Sequence, residues 1–258
     1  MNAIDLENLR KKEIELSCKI KNYLKELDAT NQCEYLQNVD PKKSVDYIFI
    51  TLEPSFGRWA QNEKNAKEMI NRGFRNFLWS KNDIVFHFSI HNFLSKSYYI
   101  TDISKVAVSI KLANETRKKV YPLWIDHLKD EIRVIGKKEA KLFFVGNTVG
   151  KYLIEKFDSN RIAGKIIHYS SNAGKKRKEA RSHNEIKFNE FFLKYPITEG
   201  FLLEFAEKLL TTSISNEILV DEILKRLKQG TFLTESRKEL IYTYYIAFET
   251  CRNHFPVV

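Results

Sequence analysis

The chain has 258 residues, 43% of them hydrophobic and 29% charged, which is enough for a buried core and ordinary for a soluble globular protein. No apolar run approaches the roughly 20 residues that cross a bilayer, and the first residues are polar rather than a secretory leader. Three scattered cysteines (Cys18, Cys33, Cys251) exclude a disulfide frame or a cysteine-rich metal site and lead us to expect a cytoplasmic setting.

The net charge of +10 is the electrostatic footprint of a nucleic-acid partner. It is unevenly placed: residues from 196 onward sum to −2, leaving +12 for residues 1–195.

In chain order, helical periodicity runs through residues 4–28 (Leu6, Leu9, Ile20, Leu24), and a polar stretch follows to Ser44. A first buried strand then ends at Leu52-Glu53-Pro54. Residues 60–78 read as helix or loop with an interruption at Gly73, and 83–93 alternate weakly, as a short strand would. A second strand stops at Asp102. Residues 113–136 form an amphipathic helix, for which Gly136 is expected as a C-cap. A third strand runs to Gly146, a helix starts near Thr148, and a fourth strand ends near His168. A basic loop and a helix over 178–194 follow. Alternating strands and helices predict an α/β fold, a three-layer α/β/α sandwich on a mostly parallel sheet of about four strands. The expected domains are 1–195 and a helical appendage over 196–258, with helices at 199–211, 215–229 and 234–252.

Ligands of open parallel sheets bind at the carboxyl ends of strands. Four such ends carry polar or reactive residues here: Glu53-Pro54-Ser55-Phe56-Gly57, Thr101-Asp102-Ile103-Ser104-Lys105, Val145-Gly146-Asn147-Thr148 and His168-Tyr169-Ser170-Ser171. A carboxylate at Glu53, ahead of the fixed turn of Pro54, can hold a water as general base. His168 can hydrogen-bond a group on which negative charge develops. Phe56, Phe74 and Phe77 are candidate stacking surfaces. The loop from Ser170 into Lys175, Lys176, Arg177 and Lys178 has small residues for close approach and cations for phosphates. Each residue also has an ordinary structural reading: a capping carboxylate, a core phenylalanine, a solvated helix face.

Taken in order, the four segments resemble the uracil-DNA glycosylase superfamily over residues 45–195. Glu53 stands where the family's Gly-x-(Asp/Asn/Ala)-Pro motif positions the attacking water, although Thr51 replaces the leading glycine. Asp102 stands where Thr-Asn-x-x-Lys reads the base. Val145-Gly146-Asn147-Thr148 is similar to the family's strand-turn-helix, and His168-Tyr169-Ser170 to its His-Pro-Ser motif. The resemblance implies monofunctional hydrolytic base excision from double-stranded DNA. Glu53 and His168 would be catalytic, Asp102, Phe56, Phe74 and Phe77 base-binding, and Ser55, Lys105, Ser170, Ser171 and 175–178 would contact DNA. The four cysteines of iron–sulfur members are missing, so no cluster, metal or other cofactor is expected.

Asp102 in place of asparagine bears on the substrate. An ionised Asp only accepts hydrogen bonds and repels uracil O4, whereas it accepts from the exocyclic amine of cytosine and can share a proton with N3. A glycosylase for ordinary cytosine would destroy its own genome. The expected target is therefore a modified cytosine of foreign, phage DNA, as in bacterial defence members of the superfamily. The alternatives are a repair enzyme for uracil or another deaminated base, with Asp102 protonated by burial, and a catalytically silent nucleic-acid binder or defence sensor.

Overall fold

The computed structural model describes residues 1–57, 59–169, 174–183 and 185–254, with the side chains at 176, 180, 253 and 254 outside that description. The elements are α1 (Ala3–Leu27), β1 (Cys33–Tyr35), β2 (Val45–Thr51), α2 (Glu63–Asn71), α3 (Lys81–Phe93), β3 (Tyr98–Asp102), β4 (Val106–Val108) and α4 (Ile110–Ile135). They continue with β5 (Gly136–Val145), α5 (Asn147–Leu153), β6 (Ile162–Ile166), α6 (Gly174–Ser182), α7 (Glu185–Lys194), α8 (Glu199–Ser213), α9 (Glu217–Lys228) and α10 (Glu235–His254). The fold is α/β: a four-stranded parallel sheet in the order β3-β2-β5-β6, with helices on it and further helices at the carboxyl end.

The chain forms two compact units, residues 1–76 with 97–162 and residues 77–96 with 163–258. The division thus does not fall at Pro196, because α3, α6 and α7 group with the three C-terminal helices.

In the first unit, β2 is buried along nearly its whole length and pairs in parallel with β3 and β5, Ile50 lying opposite Thr101 and Phe144. A strand covered on both faces reads as a continuous apolar run, as Tyr47–Thr51 does. The long helices α1 and α4 pack on each other, and Leu9, Ile20, Leu24, Val120, Trp124, Leu128 and Ile132 share one apolar core with the sheet. Gly136 is the C-cap of α4, as expected, its N–H donating to the Ile132 carbonyl, with an extended rather than left-handed backbone. Its φ is −76° and β5 begins there at once. Glycine is needed for space, since a Cβ would lie 2.7 Å from the Ile132 carbonyl oxygen.

Three stretches differ from the sequence-based expectation, and one of them is residues 175–178, read as loop but lying on α6 (Gly174–Ser182). The 83–93 stretch is helical, opened by a capping box in which Ser80 and Asp83 satisfy each other's backbone N–H groups. Residues Asp83–Ile90 and Phe93 are all buried, so no polar face marks the helical period. Within its unit α3 packs against α8 and α10. The polar 28–44 stretch holds β1, which pairs antiparallel with β4, Cys33 opposite Val108. Three-residue strands carry too little pattern to be seen in sequence.

Among the described residues, no helix is long and apolar enough to cross a membrane.

Candidate functional site

The carboxyl ends of β2 and β3 are tied together by backbone bonds. The Ile103 N–H donates to the carbonyls of Thr51 (3.0 Å) and Leu52 (2.9 Å), and the Ser104 N–H to Leu52 (3.2 Å). This wrap brings residues 101–105 against 51–53. Pro54 turns the chain out of β2, and its carbonyl accepts from the Val108 N–H at 3.2 Å. Ser55 forms a bridge with Val108, so its backbone is committed to β4.

Glu53 has a side chain 7% exposed, and both carboxylate oxygens are engaged by α4. Arg117 Nη2 donates to Oε1 at 2.5 Å, Arg117 Nε reaches both oxygens at 3.2 and 3.1 Å, and the Tyr121 hydroxyl donates to Oε2. Burial and the neighbouring Glu53 carboxylate push the Tyr121 pKa far upward, so it stays a donor. Beside them is a hollow of about 10 Å³, the size of one water, lined by Glu53, Ser104, Thr116, Arg117 and Tyr121 among others. It is too small for a base.

Asp102 is 1% exposed. Its Oδ1 accepts from the Thr51 hydroxyl, and its Oδ2 from Asn76 Nδ2 at 2.5 Å. Burial raises its pKa to about 7, against the lowering pull of Thr51, Lys105 and Asn76, while the Glu53 charge adds to the rise. It caps no helix. The folded protein holds this proton more tightly than the unfolded chain does, since the ordinary aspartate value is 3.8. The associated stability is complete below pH 3.8 and is lost as pH rises through about 7. Asp102→Asn, a neutral group of the same shape, removes this dependence. The melting temperature of the variant relative to the wild type is therefore expected to climb between pH 4 and pH 8 (about 4 and about 8 bracket the titration). A gap that stays constant across thermal melts in that range would contradict a buried, titrating Asp102.

Lys105, expected at a phosphate, lies in the interior instead. It is 0% exposed, and its ammonium donates to Glu131 Oε2 at 2.8 Å, to Thr101 Oγ1 at 2.5 Å and to the Asp102 carbonyl. This corrects its assignment as a DNA contact, because a lysine with its ammonium fully buried and paired has no surface to offer. Glu131, on α4, also accepts from Thr101 (2.9 Å), Tyr99 (2.7 Å) and Arg10 (3.2 Å). Burial opposes its ionisation, but Lys105 and Arg10 hold it below the usual carboxylate range. Arg10 continues the network to Glu13 and Asp40, both at 2.5 Å.

Phe56 stacks on Trp59 (ring centroids 6.1 Å apart, 24° between planes), and Trp59 on Phe74 (5.2 Å, 26°). Phe56 is half-buried, whereas Phe74 is 1% exposed and belongs to the core. Asn76, the last residue of this unit's first segment, reaches both Asp102 and Asn38 (3.2 Å).

The remaining expected residues belong to the second unit. Phe77 is 7% exposed and has φ of 64°, a strained value for an aromatic residue. It is packed as core and is not a free stacking surface. His168 is half-buried and stacks on Tyr169 at 4.4 Å and 21°. Arg177 is buried and turned toward α10, where Nη2 donates to Ser236 Oγ at 3.3 Å. That corrects its assignment to a phosphate, since it is spent on holding α6. Lys175 and Lys178 are exposed, as phosphate contacts require. Ser170, Ser171 and the Lys176 side chain lie outside the described residues.

Sequence reasoning missed Thr51, Asn76, Arg117, Tyr121 and Glu131. A usable signal was present for two of them: Arg117 and Tyr121 are four residues apart and so share a helix face. The described residues hold no group of three or more His, Cys, Asp or Glu side chains able to hold a metal ion. Comparison with protein-family models, with curated proteins and with solved structures finds no match to this chain.

Proposed function

We propose that the protein is a monofunctional DNA N-glycosylase that flips and hydrolyses away a non-canonical base, with a modified cytosine of foreign DNA as its preferred target. The observation that carries this reading is the pair of carboxyl groups at the ends of the adjacent parallel strands β2 and β3, with Asp102 titrating at about 7. A carboxyl group that is half protonated near neutrality can donate from one oxygen and accept at the other. Cytosine presents an N3 acceptor beside an amine donor, which fits that pair. The cytosine amine would replace the Asn76 amide at Oδ2.

Proton transfer to N3 makes the base a better leaving group. The C1′–N1 bond then breaks with its electron pair going to the base, through an oxocarbenium-like state. A water in the hollow beside Glu53 adds to C1′ and gives its proton to that carboxylate. His168 donates a hydrogen bond to the departing base, and the exposed Lys175 and Lys178 meet phosphates, roles that the sequence resemblance implies.

The test is a panel of duplex oligonucleotides, each carrying one modified or deaminated base, incubated with the protein and then treated with alkali to cut abasic sites. Scission at a modified cytosine supports the proposal, and its rate is expected to rise as pH falls through about 7 as Asp102 takes up its proton. A flat rate across that interval sinks the role given to Asp102. Scission at uracil alone would favour a repair enzyme using neutral Asp102 as donor.

A second reading has its own support. Both Glu53 oxygens are held by Arg117 and Tyr121, as in a carboxylate kept for structure. A catalytically silent nucleic-acid binder or defence sensor would bind the duplexes and cut none.

A further inference from the structure

Within the second unit, the start of α3, the end of α9, the 229–234 turn and the start of α10 enclose an open cavity of about 640 Å³. Its lining includes Lys81, Arg226 and Arg237, with Trp79, Asn82 and Thr234 between them, and no carboxylate among the described residues. Lys81 Nζ donates to the carbonyls of Gln229 and Gly230, both at 2.7 Å. Arg237 is fixed by Asn82 Oδ1 at 3.0 Å and by the carbonyls of Phe232 (2.8 Å) and Thr231 (3.2 Å). The Arg226 guanidinium lies over the Trp79 ring, 4.5 Å from its centroid. None of the three cations has a carboxylate within ion-pair distance among the described residues. Glu199 acts on Lys81 and Arg237 from farther off, and its Oε1 accepts from the Leu233 N–H at 2.9 Å. The Asp83 carboxylate accepts from the N–H groups of Trp79 and Ser80.

Three like charges held around one polar hollow without a counter-ion are unfavourable unless an anion completes the arrangement. Burial and Arg237 together lower the Lys81 pKa, and burial lowers that of Arg237, as expected of cations waiting for a partner. Neutral backbone carbonyls orient the cations without cancelling their charge. Two guanidinium groups, one of them held by hydrogen bonds, suit the oxygens of a phosphate. The volume exceeds one phosphate and lies in the range of small-molecule sites, which leaves room for the group that carries it.

We propose that this cavity binds the phosphate group of a nucleotide, held by Lys81, Arg226 and Arg237. The site uses none of Glu53, Asp102 and His168, and it stands whether or not a base is excised. The phosphate could come from a free nucleotide or from a nucleic-acid strand, and the two sources are separable.

The full chain is titrated by calorimetry with inorganic pyrophosphate, with AMP and with a short oligothymidylate, in parallel with Lys81→Gln/Arg226→Gln. Arg226→Gln alone serves as a second variant, because Arg226 is exposed and its loss leaves the fold intact. Binding of at least one probe is expected, weakened about tenfold or more in both variants, as the loss of a charge-assisted bond gives. Loss of AMP and pyrophosphate binding identifies a free nucleotide as the source. Loss of oligothymidylate binding alone identifies a strand phosphate. Failure of all three probes to bind the wild type, or equal binding by wild type and variants, overturns the proposal.

Discussion

Glu131→Gln is expected to destabilise the protein by about 3–5 kcal/mol, the usual cost of removing one partner of a buried ion pair. Glu131 is fully buried and accepts four hydrogen bonds, from Arg10 and Tyr99 at one oxygen and from Thr101 and Lys105 at the other. Glutamine keeps one acceptor and turns an NH₂ group toward two donors. If the amide faces Lys105, an ammonium with no surface exposure is left beside a hydroxyl and a carbonyl only. Denaturant unfolding measures the loss. A double-mutant cycle with Lys105→Gln is expected to show a coupling of about 1–3 kcal/mol, because the double variant leaves no buried charge at that position. The sign with pH also follows. Glu131 titrates below its ordinary value in the folded state, so its contribution is present above about pH 4.5 and is lost as pH falls below that. Acid unfolding of the variant should therefore lack part of the wild-type transition. A loss under about 1 kcal/mol would mean that the network is not the buried ion pair described.

On the proposed glycosylase reading, the largest effect on activity is expected of Glu53→Gln, with base excision falling to background, about 10²–10⁴-fold as for loss of a general base. The amide cannot accept a proton from water, yet its oxygen can still take a bond from Arg117 or Tyr121. The stability cost is expected to be about 1.5–3 kcal/mol, that of a weakened charge-assisted contact. The two outcomes are separable: folding by thermal melt, excision by alkaline scission. Arg117→Gln is the informative control. If Glu53 only anchors α4, both substitutions lower stability alike and leave scission at the same rate. If Glu53 takes the proton, only Glu53→Gln removes scission under conditions where both variants are folded. Retention of full activity by folded Glu53→Gln would remove Glu53 from the chemistry.

Much of the architecture was legible because it is written in local pattern. The period of α1 and α4, the apolar run of β2 and the breaks around the three C-terminal helices can each be read within a window of a few turns. α3 was not legible, since burial on all sides erases the polar face that reports a helix. β1 and β4 were not legible either, since three residues acquire strand character only by pairing with each other.

The candidate site shows the same division at the level of side chains. That Glu53 and Asp102 close strand ends follows from two apolar runs that each stop at a carboxylate, whereas the adjacency of the two strands, with Thr51 paired to Asp102, comes from the tertiary structure. Whether a charge faces solvent does not follow. Lys105 and Arg177 look like any basic residues in sequence, yet both are interior, whereas Lys175 and Lys178 are exposed.

The amino-acid sequence thus determined the α/β class, the strand ends that carry reactive groups and the positive charge of the first 195 residues, all of which depend on neighbours along the chain or on composition. Only the tertiary structure decided that Asp102 titrates near 7, that Arg117 and Tyr121 hold Glu53 and that three cations meet around one cavity. Desolvation and ion pairing are set by groups far apart in the chain, and their energies exist only once folding has excluded water and brought those groups within a few ångströms.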